Sequence, residues 1–160
     1  MNSDFYNLSI LPHAGIIIKI CRAYTYSQVD FEDYYQEVCL QIWKSHENFN
    51  GKSEWSTWIY RLSLNVCMTL MKKNNKDPQH FASDYVPDIP AEQRCVFEDT
   101  ELNNLYVAIR KLSEVDRGVI LLYLDEQSHQ QIASIFETTA NNIGVRIQRI
   151  KQRLRKLLDE

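Results

Sequence analysis

Glycine, proline and long apolar runs are scarce in this chain. Its 160 residues include four glycines and four prolines, while apolar residues recur at helical spacing over long segments, which predicts a mostly helical protein. No run of about 18 apolar residues exists, so we expect no membrane insertion. Residues 8–20 are apolar but lack the basic start and the cleavage site of a secretion signal. The sequence therefore favours an all-α protein of the cytoplasm.

Cysteine pairs and metal-ligand spacings are also missing. The four cysteines, Cys21, Cys39, Cys67 and Cys95, are far apart and form no C-x-x-C pair. Three of them fall within helical patterns, which predicts buried and reduced thiols. Zinc needs His or Cys side chains at ligand spacing, and none are present, so we expect neither a metal site nor a cofactor.

The last third of the chain contains two adjacent helical stripes. An apolar stripe recurs at spacings of four and three residues: Ile143, Ile147, Ile150, Leu154 and Leu157. Shifted by one residue, the same spacing gives a polar and cationic stripe: Asn142, Arg146, Arg149, Arg153 and Lys156. One face of such a helix packs on a partner while the other offers cations to phosphates. Nucleic acid is the first candidate partner.

A second, shorter helix precedes this basic helix. Ser128 and Gln131 have the spacing of a capping box, and Thr139 can cap the basic helix. Two helices joined by a tight turn, the second rich in Asn and Arg near its start, predict a helix-turn-helix. Glycine is usual at this turn, whereas Glu137 and Thr138 occupy it here. The alternative is an ordinary helical hairpin with a solvated basic face.

Charge is distributed unevenly over the chain. Residues 1–76 contain eight basic and seven acidic side chains, residues 77–101 contain one and seven, and residues 102–160 contain nine and seven. The middle segment also holds three of the four prolines and no clear periodicity, which predicts a flexible linker. We therefore expect two small helical domains, residues 1–76 and 102–160, joined by an acidic linker at 77–101.

The first domain has three helical patterns. The first covers residues 9–26, and Asp30 is the predicted N-cap of the second. Acids crowd the first turns of this second helix: Asp30, Glu32, Asp33 and Glu37. They could complement the helix dipole, bind a metal or act in acid–base chemistry, or form a charged docking surface for another protein. No Glu-x-x-His pair is present, which argues against a di-iron bundle.

Aromatic and basic residues cluster at the start of the third helix. Trp55, Trp58 and Tyr60 stand beside Arg61 after a glycine-containing loop, and lysines follow at the end of the helix. The rings can belong to the core of the domain. Aromatics beside cations are also how proteins hold unstacked, single-stranded bases, and residue spacing does not separate these two interpretations.

Several runs of residues form two motif sets. The first is Asp30-Phe31-Glu32-Asp33-Tyr34-Tyr35-Gln36-Glu37-Val38 with Trp43, followed by Phe49-x-Gly51-x-Ser53-x-Trp55-x-Thr57-Trp58-Ile59-Tyr60-Arg61-Leu62-x-x-Asn65. The second is Leu112-Ser113-Glu114-Val115-Asp116-Arg117, then Gln127-Ser128-x-x-Gln131-Ile132-Ala133, then Arg153-Leu154-Arg155-Lys156-Leu157-Leu158. In this order, the two sets resemble regions 2 and 4 of the extracytoplasmic-function sigma factors of bacterial RNA polymerase.

The resemblance implies a function and a set of sites. It assigns contacts with core RNA polymerase to Asp30, Asp33, Gln36, Glu37 and Trp43. It assigns capture of the −10 element of promoter DNA to Asn50, Gly51, Lys52, Ser53, Trp55, Arg61, Asn65, Lys72 and Lys73. It assigns reading of the −35 element to Thr139, Asn141, Asn142, Arg146 and Arg149; Asn suits adenine and Arg suits guanine.

The resemblance also implies the partners of the chain. We expect a protein that is not an enzyme, that is a monomer when free, and that is held by an anti-sigma factor. One alternative is a stand-alone helix-turn-helix regulator that binds duplex DNA without polymerase. Another is a helical interaction protein with no role on DNA.

Overall fold

The computed structural model describes residues 3–76 and 100–159, and every regular element within these ranges is a helix. The predicted all-α class is therefore confirmed. Contacts divide the chain into two compact units, Met1–Val96 and Phe97–Glu160. The predicted linker lies outside the described residues, except for Thr100 and Glu101, which begin a helix. In the part of the chain that is described, no helix has the length and apolarity to cross a bilayer.

The three longest helices described in the first unit are α1 at Ala14–Tyr24, α2 at Gln28–Ser45 and α3 at Trp55–Lys76. Each packs against the other two. The predicted first helix, residues 9–26, was too long. Its N-terminal part forms short helical turns that include Pro12, and its C-terminal end is set by the extended backbone of Thr25. Proline favours the first turn of a helix over its interior, which explains the late start of α1.

The N-cap of α2 differs from the prediction. Ser27 is extended, and its side-chain oxygen accepts a hydrogen bond from the Asp30 amide at 3.1 Å. The prediction of Asp30 as the cap was therefore wrong, because a suitable hydroxyl lies three residues earlier and starts the helix there. Asp30 instead lies in the first turn, where its carboxylate interacts favourably with the positive end of the helix dipole.

Three cysteines belong to the core of the first unit. Cys21 and Cys67 place their sulfur atoms 3.9 Å apart, and Cys39 is buried nearby on α2. The hydrogen bond with Cys21, together with burial, raises the pKa of Cys67, and burial raises the pKa of Cys39 to about 11. The Cys39 and Cys67 thiols therefore stay protonated and are poor nucleophiles at neutral pH. Buried thiols are thus confirmed at these positions, whereas Cys95 lies outside the described residues.

Four helices form the second unit: α4 at Thr100–Ile109, α5 at Glu114–Leu124, α6 at His129–Phe136 and α7 at Ala140–Leu158. The long helix α7 packs against each of the other three. Its predicted apolar stripe is buried at four positions, Ile143, Ile147, Ile150 and Leu154, and half-buried at Leu157. Burial of this stripe leaves the neighbouring polar stripe of α7 at the surface.

Side-chain caps fix the starts of the helices in the second unit. The Ser113 hydroxyl accepts from the Asp116 amide at the start of α5. Ser128 and Gln131 form the predicted capping box of α6, with bonds of 3.1 and 2.8 Å. Thr139 caps α7 by accepting from the Asn142 amide at 3.2 Å. The predicted caps of α6 and α7 are confirmed.

Arg117 is a buried cation that closes the turn between α4 and α5. It is 4% exposed, and its guanidinium donates to the carbonyl oxygens of Leu112 and Arg110. We expect Arg117→Met to lower the free energy of unfolding of this unit by about 2 kcal/mol or more, because buried carbonyls lose their donors. Amide hydrogen exchange in α4–α7 measures this change in the full chain.

Arg155→Met is the matched control for Arg117→Met. Arg155 is an exposed cation on α7, so its replacement removes the same charge without leaving a buried acceptor. We expect a change within about 0.5 kcal/mol for this variant. Equal exchange rates in the two variants would contradict the structural role assigned to Arg117.

Candidate functional site

The polar stripe of α7 begins at the N-terminal end of that helix. Asn141, Asn142, Arg146 and Arg149 are all exposed, and Thr139 is the exposed N-cap. The structure therefore brings the five predicted −35 residues together on the first half of α7. The amide group of Asn142 donates to the Thr138 hydroxyl at 3.1 Å, which positions its side chain across the turn.

A groove lies beside this stripe, between the first turn of α5 and the first half of α7. Its volume is about 520 Å³. Apolar side chains from three helices line it, including Val115, Phe136 and Ile143, while Asp116 and Arg146 contribute opposite charges. The groove thus combines an apolar surface with paired charged groups, next to the residues predicted to read DNA.

Asp116 is the residue of this site that sequence reasoning did not identify. The Arg146 guanidinium donates to its carboxylate, with 2.7 Å between Nη1 and Oδ1. The two side chains are 47% and 25% exposed respectively. No local pattern indicates the pair, because thirty residues separate its members and only the packing of α5 on α7 brings them together.

The distal cations of α7 have contacts within the protein. Arg153 donates from Nη2 to the carbonyl oxygen of Lys111 at 3.1 Å. Lys151 places its ammonium 4.4 Å from the centre of the Tyr123 ring, a cation–π arrangement. The predicted DNA-reading residues thus lie in the first half of α7, and Lys151 and Arg153 in its second half contact other helices or turns of the same unit.

The turn between α6 and α7 forms without glycine. Glu137 adopts the left-handed conformation, with φ 56° and ψ 46°, and the Thr138 amide donates to the Ala133 carbonyl at 3.0 Å. This is the position where glycine ends many helices, since glycine has no Cβ to be strained there. The predicted helix-turn-helix is confirmed, and Glu137 takes the place of the usual glycine.

Glu137→Gly is expected to stabilise the second unit. A non-glycine residue in the left-handed region costs about 1–2 kcal/mol, part of which glycine loses again through its greater freedom in the unfolded chain. We expect a net gain of about 0.5–1 kcal/mol, measured as a higher urea midpoint of the unit's helical signal. Glu137→Ala removes the same charge but keeps a Cβ, so an equal gain there would contradict the backbone explanation.

The predicted polymerase-contact residues lie on α2. Asp30, Asp33 and Glu37 follow one another at spacings of three and four residues, and Asp30 lies one helical turn before the buried Tyr34. Asp33 and Gln36 are exposed, while Glu37 accepts from the Gln41 amide at 2.9 Å. Trp43 is half-buried. Among residues 3–76 and 100–159 no cluster of ligand side chains could hold a metal ion.

The loop before α3 exposes three of the predicted −10 residues. Asn50 accepts from the Lys52 amide at 3.0 Å, which closes a tight turn around Gly51. Gly51 has a φ of 75°, a conformation that a side chain would strain. Asn50, Gly51 and Lys52 are exposed and Ser53 is half-buried. The loop therefore presents polar groups on a defined backbone.

Trp55 belongs to an aromatic cluster beside this loop. Its ring stacks on Trp58, with centroids 4.9 Å apart, and meets the edge of Phe49 at 5.2 Å. Its indole N–H donates to the Ser9 carbonyl at 2.8 Å. Because the N–H is engaged and the residue is half-buried, only the remaining surface of the ring is available to a base.

The remaining −10 residues lie along one face of α3. Arg61, Asn65 and Lys72 are exposed at spacings of four and seven residues, opposite the buried Ile59 and Ser63. Lys73 is exposed on the next position of the helix. The predicted −10 set thus forms a polar loop that continues into a cationic stripe.

Family comparisons match both units. Residues 10–77 match the family model described as Sigma-70 region 2, and residues 102–154 match the model described as Sigma-70, region 4. The two matched segments together cover more than half of the chain. They also follow the order in which the two motif sets occur.

Curated relatives with similar sequences are sigma factors. The chain is 36% identical over 67 residues to the ECF RNA polymerase sigma factor SigG of Mycobacterium tuberculosis, a match covering 42% of this chain and 18% of that protein. It is 26% identical to the ECF RNA polymerase sigma factor SigW of Bacillus subtilis, over 89% of this chain and 82% of that protein. It is 22% identical to the RNA polymerase sigma-H factor of Pseudomonas aeruginosa, over 96% of this chain and 86% of that protein.

Solved structures that share the fold include the following two. One is the sigma factor RpoE in complex with the anti-sigma factor NepR from Bartonella quintana, with a TM-score of 0.75 and 22% identity over 99% of this chain and 98% of that chain. The other is CnrH in complex with the cytosolic domain of CnrY, with a TM-score of 0.69 and 19% identity over 99% of this chain and 90% of that chain.

Proposed function

The chain belongs to the extracytoplasmic-function sigma factors of bacterial RNA polymerase, and from this membership we propose that it directs core polymerase to specific promoters. We further infer that it acts as a transcription initiation factor and not as an enzyme. We infer a division of labour between residues 1–76, which engage polymerase and the −10 element, and residues 102–160, which engage the −35 element. Residues 77–101 would connect the two.

The −35 element is read by the first half of α7. Its exposed Asn and Arg side chains have the hydrogen-bond groups that recognise adenine and guanine edges in the major groove. The capped start of α7 adds backbone amides and a positive helix dipole, which favour a phosphate. Asn141, Asn142, Arg146 and Arg149 would read bases, and Thr139 would position the helix on the DNA backbone.

The −10 element is captured by the loop before α3 and by the cationic face of that helix. Extruding a base costs a few kcal/mol and therefore needs polar contacts and a stacking surface. The turn at Gly51 would supply the polar contacts and the surface of the Trp55 ring would supply the stacking, and Arg61 and Asn65 lie farther along α3. Lys72 and Lys73 would contact phosphates. In this way the chain would help to open the duplex.

Core polymerase would bind the acidic face of α2. Asp33 and Gln36 extend into solvent, and Asp30 and Glu37 flank them on the same side of the helix. Such a face complements a basic surface, and electrostatic complementarity favours the correct partner. We also propose an anti-sigma factor as a partner, because the similar structure of RpoE is a complex with the anti-sigma factor NepR.

The exposed Asn and Arg stripe at the capped start of α7 is the observation that carries this proposal. Run-off transcription from sheared genomic DNA tests it, using sigma-free core polymerase with and without the protein. We expect discrete new start sites that share two short motifs at a fixed spacing. Tight binding to duplex DNA without polymerase, and no new start sites, would instead indicate a stand-alone regulator.

A further inference from the structure

Asp116 and Arg146 form an ion pair at the edge of the predicted DNA-reading surface, with 2.7 Å between Nη1 and Oδ1. The carboxylate comes from the first turn of α5, where the Asp116 amide is held by the Ser113 hydroxyl at 3.2 Å. A carboxylate in this turn is also favoured by the helix dipole. Asp116 is therefore anchored at its backbone and 25% exposed at its side chain. Its carboxylate can therefore hold the longer Arg146 side chain in one orientation.

Arg146 uses only part of its guanidinium in this contact. Nη1 donates to Asp116 Oδ1 at 2.7 Å, and within the described ranges no hydrogen bond occupies the Nε–Nη2 edge. Guanine is recognised by two parallel N–H groups that reach O6 and N7 together. The edge opposite the Asp116 contact has this arrangement, and the side chain is 47% exposed.

We propose that Asp116 is a positioning residue for promoter readout: its carboxylate holds Nη1 of Arg146 so that the Nε–Nη2 edge meets guanine in the −35 element. The inference rests on the proposed function and adds a specificity-determining residue to it. A long, rotatable arginine reads one base reliably only when a second residue limits its orientation. Asp116 supplies that limit from a different helix.

A purely stabilising role does not explain the pair equally well. A partly exposed ion pair contributes little to folding stability, because water screens it. A carboxylate next to bound DNA also repels phosphate, so Asp116 opposes non-specific affinity. Removal of the carboxylate is therefore expected to have two separate effects, one from lost positioning of Arg146 and one from lost repulsion of phosphate. Base discrimination falls, while binding to arbitrary duplex DNA becomes stronger.

The test compares Asp116→Ala and Asp116→Asn in the full chain, with core polymerase and two promoter templates. The two templates differ at one guanine of the −35 element. This guanine is chosen because its replacement lowers transcription by the parent protein but not by the Arg146→Ala variant. Asn keeps an acceptor for Nη1 but lacks the charge. We expect Asp116→Ala to lower the output ratio of the two templates about five- to tenfold, and Asp116→Asn to keep it within about twofold.

Binding of both variants to a duplex without promoter elements is measured in parallel, and we expect it to be stronger than for the parent. An unchanged output ratio in Asp116→Ala overturns the inference. A raised ratio also overturns it, since Asp116 would then compete with DNA for Arg146. If the parent protein itself shows no promoter-dependent output, the proposed function fails and the inference falls with it. If the parent protein transcribes normally, a negative result with the Asp116 variants contradicts only the role proposed for Asp116.

Discussion

Arg146→Glu is expected to lower promoter-directed transcription about 100-fold while leaving affinity for core polymerase unchanged. A bidentate arginine–guanine pair contributes about 1–3 kcal/mol of discrimination, and each 1.4 kcal/mol corresponds to a factor of ten. The new carboxylate adds repulsion from phosphate and from Asp116, which lies 2.7 Å from the present guanidinium. Run-off output and fluorescence-detected polymerase binding, measured on the same protein preparation, separate the two effects.

Arg155→Glu is the matched control for this charge reversal. Arg155 is exposed on the distal half of α7, away from the groove, and its reversal changes the net charge by the same amount. We expect less than about a tenfold loss of output, due to weaker general attraction to DNA. Equal losses for Arg146→Glu and Arg155→Glu would contradict the assignment of base reading to the first half of α7.

Asp33→Arg combined with Glu37→Arg is expected to weaken binding to core polymerase at least about tenfold. Both acids lie on the proposed docking face of α2, and reversing charges across an interface replaces attraction by repulsion. Asp33 is exposed, and Glu37 bonds only to Gln41 among the contacts of the described residues. The domain should therefore remain folded, which its circular dichroism will verify.

The control for the polymerase-contact variant reverses two acids outside the docking face. Glu32 and Glu47 are exposed, and Glu32 lies on α2 itself, where it pairs with Gln28 at 3.3 Å. Glu32→Arg with Glu47→Arg imposes the same change in net charge. If this control lost as much affinity as the double variant at Asp33 and Glu37, polymerase would be responding to net charge rather than to a specific face.

Local patterns predicted the elements of the second unit well. The spacing of Ile143, Ile147 and Ile150 determines which side of α7 is buried, because helical periodicity is a property of neighbouring residues. The capping box at Ser128 depends on residues three positions apart. All of these features are confirmed, since no distant contact is needed to establish them.

Features that depend on competing or distant groups could not be predicted in the same way. Asp30 and Ser27 are both good N-caps, and the backbone conformation of Ser27 decides between them. The left-handed conformation of Glu137 is imposed by the packing of α6 and α7, against the preference of the residue itself. The contacts of Trp55 with Ser9 and of Arg146 with Asp116 join residues that only the tertiary fold brings together.

The proposed function requires that one chain reads two promoter elements with two separate surfaces. Its most direct test is transcription by polymerase carrying the parent protein, Arg149→Ala or Asn65→Ala, from a promoter library randomised at both elements, with the transcripts sequenced. We expect Arg149→Ala to change base preference only at the −35 element, and Asn65→Ala only at the −10 element. Preferences that change at both elements in either variant, or at the opposite element, would contradict the division of promoter reading between two surfaces.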